Sequence, residues 1–242
     1  MKQRLITGTC YVAVLVGFFL LKIYLPYPWN NLSFDFLLWA FSVVGSFELL
    51  RALGGRLTAA ERVVVLLFSL LYIPAYDVSV YCVEYDKLSV MGVSFFLVCV
   101  VLFALLVVQY EKTSVESVGC ALFACVYPTL FIGTMVLCNH LPEYSDLALL
   151  FVFVISPCAD SLAYLFGMAL GKKFPRKMSP HISPKKTVVG CVGGVVGGVL
   201  GALILFFAYH LAVGGGLPYE RLWIYLLVGA GASLFTEFGD LV

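Results

Sequence analysis

The sequence predicts an all-α fold, a polytopic integral membrane helix bundle of about eight transmembrane helices. Three observations carry that expectation. Hydrophobic residues make up 62% of the 242-residue chain, against about 45–50% in a soluble domain. Charged residues are only 12%, where soluble domains carry about 25%, and mean hydropathy is +1.02. Apolar runs long enough to cross a bilayer, about 17–25 residues each, recur from end to end. No strands, no soluble domain and no nucleic-acid partner are expected.

Taken in order, the first run is about Cys10–Leu25, closed by Pro26 and Pro28. It is too long, and lacks the small-residue cleavage site, for a secretory signal peptide. The second run, about Leu32–Leu50, carries Asp35 near its start and Glu48 near its end. The third, about Val63–Val80, contains Pro74, a residue that kinks helices. The fourth covers about Met91–Val108 and the fifth about Val118–Cys138, with Pro128 inside. The sixth covers about Leu147–Leu170, the seventh about Val188–Val213, and the eighth begins near Leu222. The 8 cysteines fall mostly within these runs, with no paired loop spacing, and read as small buried hydrophobes.

Charge distribution orients the bundle, since the net charge of +1 says little. With the N-terminus in the cytoplasm, the inner segments receive Lys2, Arg4, Arg51, Arg56, Arg62, Lys112 and the cluster from Lys172 to Lys186. The outer segments receive Lys22, Lys87 and Arg221 among a larger number of acids. Cytoplasmic loops are enriched in Lys and Arg, so this orientation is favoured.

The stretch from Asp160 to Gly194 organises the rest. Asp160 lies inside an apolar run, where a carboxylate costs about 2.5–3.5 kcal/mol on insertion scales and signals function. Tyr164 stands four residues on, sharing a helix face with Asp160, and Gly167 and Gly171 continue roughly along it. The plainer role for Asp160 is pairing with a cation in the bundle. Lys172, Lys173, Arg176, Lys177, Lys185 and Lys186 follow, mixed with Ser179, Ser183 and Thr187. Ammonium groups with hydroxyls suit a phosphate-bearing ligand, although topology alone also makes such loops basic. The Ser183-Pro184-Lys185-Lys186-Thr187 segment abuts the start of the seventh run, where a helix N-terminus adds attraction for anions. Gly190, Gly193, Gly194, Gly197, Gly198 and Gly201 then read as a close helix-packing face. Glu237 and Asp240 bring two acids to the cytoplasmic end of the eighth run, oxygen ligands of the kind hard divalent cations take.

The three elements D-S-L-A-Y-L-F-G-x-x-x-G-K, S-P-K-K-T-x-x-G-x-x-G-G and G-D-L together resemble the phosphatidate cytidylyltransferases, or CDP-diacylglycerol synthases, over roughly Pro157–Leu241. The resemblance implies transfer of a cytidylyl group from CTP to phosphatidate, with Mg2+ as cofactor. It implies Asp240 as a metal ligand, and Ser183, Lys185, Lys186 and Thr187 in the nucleotide and phosphate region. Asp160 and Tyr164 match the family's D-x-x-A-Y element. Asp160 and Lys186 are taken as catalytic, and Ser183, Lys185, Lys186, Thr187 and Tyr164 as substrate-binding. Residues 1–145 then form N-terminal transmembrane helices and 146–242 a catalytic-type region. Met168, Val188 and Val189 depart from the family's usual residues. The family's signature continues past G-D-L, so a truncated, frame-shifted or partial member, inactive or incomplete as this fragment, is the expectation. Expected partners are CTP, phosphatidate and the lipid bilayer, with a homodimer left open. The expected location is the bacterial inner (plasma) membrane, multi-pass, N-terminus cytoplasmic. A CTP-dependent polyprenol or phytol kinase and a non-enzymatic transporter are the alternatives.

Overall fold

The computed structural model describes residues 2–83, 87–179, 183–212, 217 and 219–239. Helices dominate, and they fall on the apolar runs: α1 (Lys2–Tyr24), α2 (Trp29–Leu53), α3 (Ala59–Val78), α4 (Lys87–Val108), α5 (Val115–Ala124), α6 (Phe131–Asn139), α7 (Ser145–Leu170), α8 (Val188–Ala212) and α9 (Leu222–Gly239). Among the described residues, seven helical stretches are long and apolar enough to cross a membrane, with α5 and α6 together making one, and Gly8–Tyr24 is a shorter apolar helix. The chain is a polytopic membrane helix bundle.

It divides into two compact units, Met1–Pro142 and Glu143–Val242. In the first, α2 packs against α1, α3 and α6, and α3 against α4. Its core mixes aromatic and aliphatic side chains: Phe34, Leu38, Val65, Ile73 and Tyr76 are buried, whereas Phe96 and Val107 on α4 are exposed. Such exposed apolar side chains are what a lipid-facing helix presents. One end of this unit is locked by capping. Thr58 and Glu61 form a capping box at the start of α3, Ser114 and Ser117 form another at α5, and Ser117 Oγ donates to Glu61 Oε1 at 2.7 Å. Glu61 is thus a fully buried acid whose oxygens are all engaged, which is how a buried charge becomes tolerable.

The two prolines inside this unit's runs behave differently. Around Pro74 the helix holds its pattern to Val78, then widens to a π-helical turn at Ser79–Val83. Pro128 lies within such a turn, Cys125–Leu130, between α5 and α6. At Pro128, proline's missing N–H and its crowding of the preceding turn go with a ladder that widens instead of breaking. Thr129 in that turn hydrogen-bonds Ser42 and Ser46 of α2, each at 3.2 Å.

Two expectations are corrected. An antiparallel pair, β1 (Lys177–Ser179) and β2 (Ser183–Thr187), stands between α7 and α8, where no strands were expected. Its strands are too short and cation-rich to show an alternating pattern, and Val188 N–H closes it on Arg176 O at 3.0 Å. The cysteines are free, but only Cys125 is buried, and Cys10 and Cys82 are exposed. In a spanning helix the outward face is apolar too, so an apolar neighbourhood in sequence does not mean burial.

In the second unit α8 lies against both α7 and α9. A cluster of Leu147, Phe151, Ile155, Ala202, Phe206 and Leu217 fills one end. Toward the other end glycine replaces side chains. A methyl group at Gly197 would meet Cys158 O at 2.6 Å, and at Gly198 it would meet Gly229 O at 2.5 Å. Backbones therefore touch on both faces of α8, the small-residue packing of membrane helices.

Candidate active site

A cleft of about 460 Å³ opens in the second unit where α7, α8, α9 and the end of β2 meet. Each wall contributes one kind of chemistry. From α7 come Asp160 and, one turn on, Tyr164; from β2 come Lys186 and Thr187; from α9 comes Glu237. The floor is Gly167 and Gly190, whose lack of side chains leaves room for a ligand near the backbone.

Lys186 is the cation at the centre of this arrangement. Its ammonium lies 3.2 Å from Glu237 Oε2 and 3.4 Å from Glu237 O, with the Lys186 side chain 25% exposed and that of Glu237 3% exposed. The pair stands at the cleft wall, and a removable cation next to a buried carboxylate is a site that can exchange partners with an incoming anion. Gly194 leaves room for this geometry, since a methyl group there would push Glu237 Oε1 aside.

Thr187 serves two purposes. Its hydroxyl oxygen accepts the Gly190 N–H at 3.1 Å, capping α8 as a threonine does at a helix start. The same residue lines the cleft, so the N-terminus of α8 is directed at the place where a ligand would sit, an arrangement that favours anions.

The residues singled out by sequence thus divide into four groups. Asp160, Tyr164, Lys186 and Thr187 come together on one cleft. Asp160 is exposed to it, not buried in the bundle as its apolar run suggested. Ser183 is half-buried at the start of β2, and Lys185 lies on β2 with its side chain outside what is described. Asp240 lies outside the described residues. Lys172 and Lys173 are exposed, the latter with its ammonium 5.9 Å from the Phe174 ring centre, and neither lines the cleft. Sequence reasoning grouped Glu237 with Asp240 as a possible cation-binding acid but did not single it out as a partner of Lys186. The argument already applied to Asp160, an acid within an apolar run, was enough to single it out.

Similarity to known proteins extends over the whole chain. The sequence model described as the cytidylyltransferase family matches residues 2–242. The phosphatidate cytidylyltransferase of Bacillus subtilis (strain 168) is 31% identical over 242 residues, which is 100% of this chain and 82% of that protein. A protein of the same name from Staphylococcus epidermidis is 36% identical over 96 residues, covering 39% of this chain and 32% of its own length. Another from Chlamydia muridarum is 30% identical over 140 residues, 55% of this chain and 44% of that protein. With a family match over nearly every residue and a relative aligned along the whole chain, the protein belongs to the cytidylyltransferase family.

Proposed function

We propose that the chain transfers the cytidylyl group of CTP to phosphatidate, giving CDP-diacylglycerol and pyrophosphate. A phosphate oxygen of the lipid attacks the α-phosphorus of CTP. A new P–O–P linkage forms, the bond between the α-phosphorus and its bridging oxygen breaks, and pyrophosphate carries away the electron pair. The observation that carries this reading is the meeting of Lys186 and the Thr187-capped end of α8 with Asp160 and Glu237 in one cleft. The names of the relatives supply the two substrates.

The chain's own residues do three things in this scheme. Lys186 leaves Glu237 for the triphosphate and offsets its charge, aided by the α8 N-terminus. Ser183, Lys185 and Thr187 hold phosphate oxygens along the hairpin. Tyr164 bounds the cleft and orients the bound substrate. Positioning and charge compensation supply most of such catalysis. The carboxylates of Asp160 and Glu237 form an all-oxygen donor set, with Asp240 following Glu237 on the same chain end, and hard divalent cations take such ligands. These residues fit Mg2+ and would hold it; when bound, it neutralises phosphate charge.

The proposed setting is the bacterial plasma membrane, N-terminus cytoplasmic, with residues 146–242 as the catalytic-type region. A homodimer is part of the proposal, and cross-linking in native membranes that returns only monomer removes it. The reaction is tested with purified protein, radiolabelled CTP and phosphatidate in detergent–lipid micelles. Label is expected in a lipid product only when both substrates and Mg2+ are present. Folded protein that binds CTP yet labels a polyprenol or phytol instead overturns the assignment.

A further inference from the structure

We propose a second metal site, for a first-row divalent transition ion of the Mn2+ or Zn2+ kind, in the N-terminal unit at Asp35, Asp77 and His140. These residues come from three separate places: near the start of α2, near the end of α3 and just past α6. One ligand atom from each, two carboxylate oxygens and an imidazole nitrogen, lies within 4.8 Å of the other two. Around an ion with bonds of about 2.0–2.2 Å, ligand atoms stand roughly 3–4 Å apart, so small side-chain shifts close the site.

The surroundings are built for such a group. Asp35 is fully buried. Its Oδ1 accepts the Asn139 side-chain N–H at 2.9 Å, and its Oδ2 lies 2.6 Å from His140 Nε2. Asn139 is itself held, since Lys22 donates to its Oδ1 at 2.5 Å and to its backbone carbonyl at 3.3 Å. Metal-binding carboxylates are characteristically oriented by hydrogen bonds of this sort.

A second observation comes from a side chain outside the three ligands. Tyr76 is fully buried, its ring meets His140 edge-on at 5.2 Å, and its hydroxyl lies close enough to Asp35 and Asp77 to feel both charges. Yet that hydroxyl has no hydrogen-bond partner among the described residues. A fully buried phenol hydroxyl without a partner is rare in a native protein. Water on an ion held by the three ligand atoms satisfies it. One imidazole with two carboxylates favours Mn2+ or Zn2+ over the purely oxygen-seeking Mg2+. Bound there, the ion ties three helix ends together.

The test uses the whole protein, purified in detergent, stripped with a chelator and dialysed against Zn2+ with excess Mg2+ to occupy the cleft carboxylates. Elemental analysis is expected to find one Zn2+ per chain, with at least tenfold weaker retention in Asp77→Asn and no loss in Glu237→Gln. With Co2+ as the probe, the visible absorption band of a nitrogen-ligated ion is expected in the wild type and absent in His140→Gln. Folded wild-type protein that holds no Zn2+ overturns the proposal, whichever variants fold. So does Zn2+ that survives Asp77→Asn and is lost in Glu237→Gln, since the ion then belongs to the cleft.

Discussion

Lys186 and its neighbours give the most direct access to the chemistry at the scale of single residues. Its ammonium is already engaged with a carboxylate at the cleft wall, whereas Lys172 and Lys173 sit in solvent at the end of α7. A hydrogen bond to a charged group contributes about 1.5–3 kcal/mol, so Lys186→Ala is expected to raise the CTP concentration for half-maximal transfer roughly 10–100-fold. Lys172→Ala and Lys173→Ala are expected to change it by less than about threefold, because exposed charges contribute little. Lys186→Arg keeps the charge and separates simple electrostatics from a contact that needs the compact ammonium. CTP titration of each variant in micelles reads all four, and equal defects across the three lysines remove the specific role. Asp160, Tyr164, Lys186 and Thr187 were legible because each broke the composition around it or sat in a motif. The Lys186–Glu237 pair was not, because the two residues are 51 positions apart and nothing local links them.

The helices themselves were written in hydrophobicity, and the glycine face of α8 in the spacing of its small residues. What periodicity could not reveal was which glycines touch something. Gly198 has Gly229 O and Ser233 against it, while Gly231 has nothing within 4 Å. Gly198→Ala is expected to destabilise the protein by about 1–3 kcal/mol through overpacking, seen as a lower unfolding temperature in detergent. Gly231→Ala is expected to be neutral or slightly stabilising, since alanine is the better helix former by about 1 kcal/mol. Equal effects of the two would mean that contact does not govern this face. The hairpin was illegible for a different reason. Strands of three and five residues are held by pairing and by the helices they join, not by any pattern of their own.

Across the whole molecule, the charge pattern makes a claim that labelling can check. A cysteine introduced at Lys177 on the hairpin, in a background where native thiols are blocked, is expected to react with a membrane-impermeant reagent only from the cytoplasmic face. Labelling from the outside would reverse the orientation and move the cleft away from CTP. The first unit was the least readable part. Of its buried acids, Asp35 lies in a run that looks like any other and Glu61 just before the third run, and their partners Asn139, His140 and Ser117 arrive from 56 to 105 residues away. Local sequence contains no trace of such meetings.

The backbone contact on both faces of α8 has a mechanical consequence. Side chains between helices act as a compliant layer, able to change rotamer as helices slide. Between α8 and its two neighbours that layer is missing at Gly197, Gly198 and Gly229, so the three helices are geared together and a shift of one drags the others. A cleft walled by such a stiff frame accommodates its ligand through its remaining wall, the strand that ends in Lys186 and Thr187. Amide exchange is therefore expected to slow on CTP binding along β1 and β2 and to stay unchanged in the middle of α7, α8 and α9.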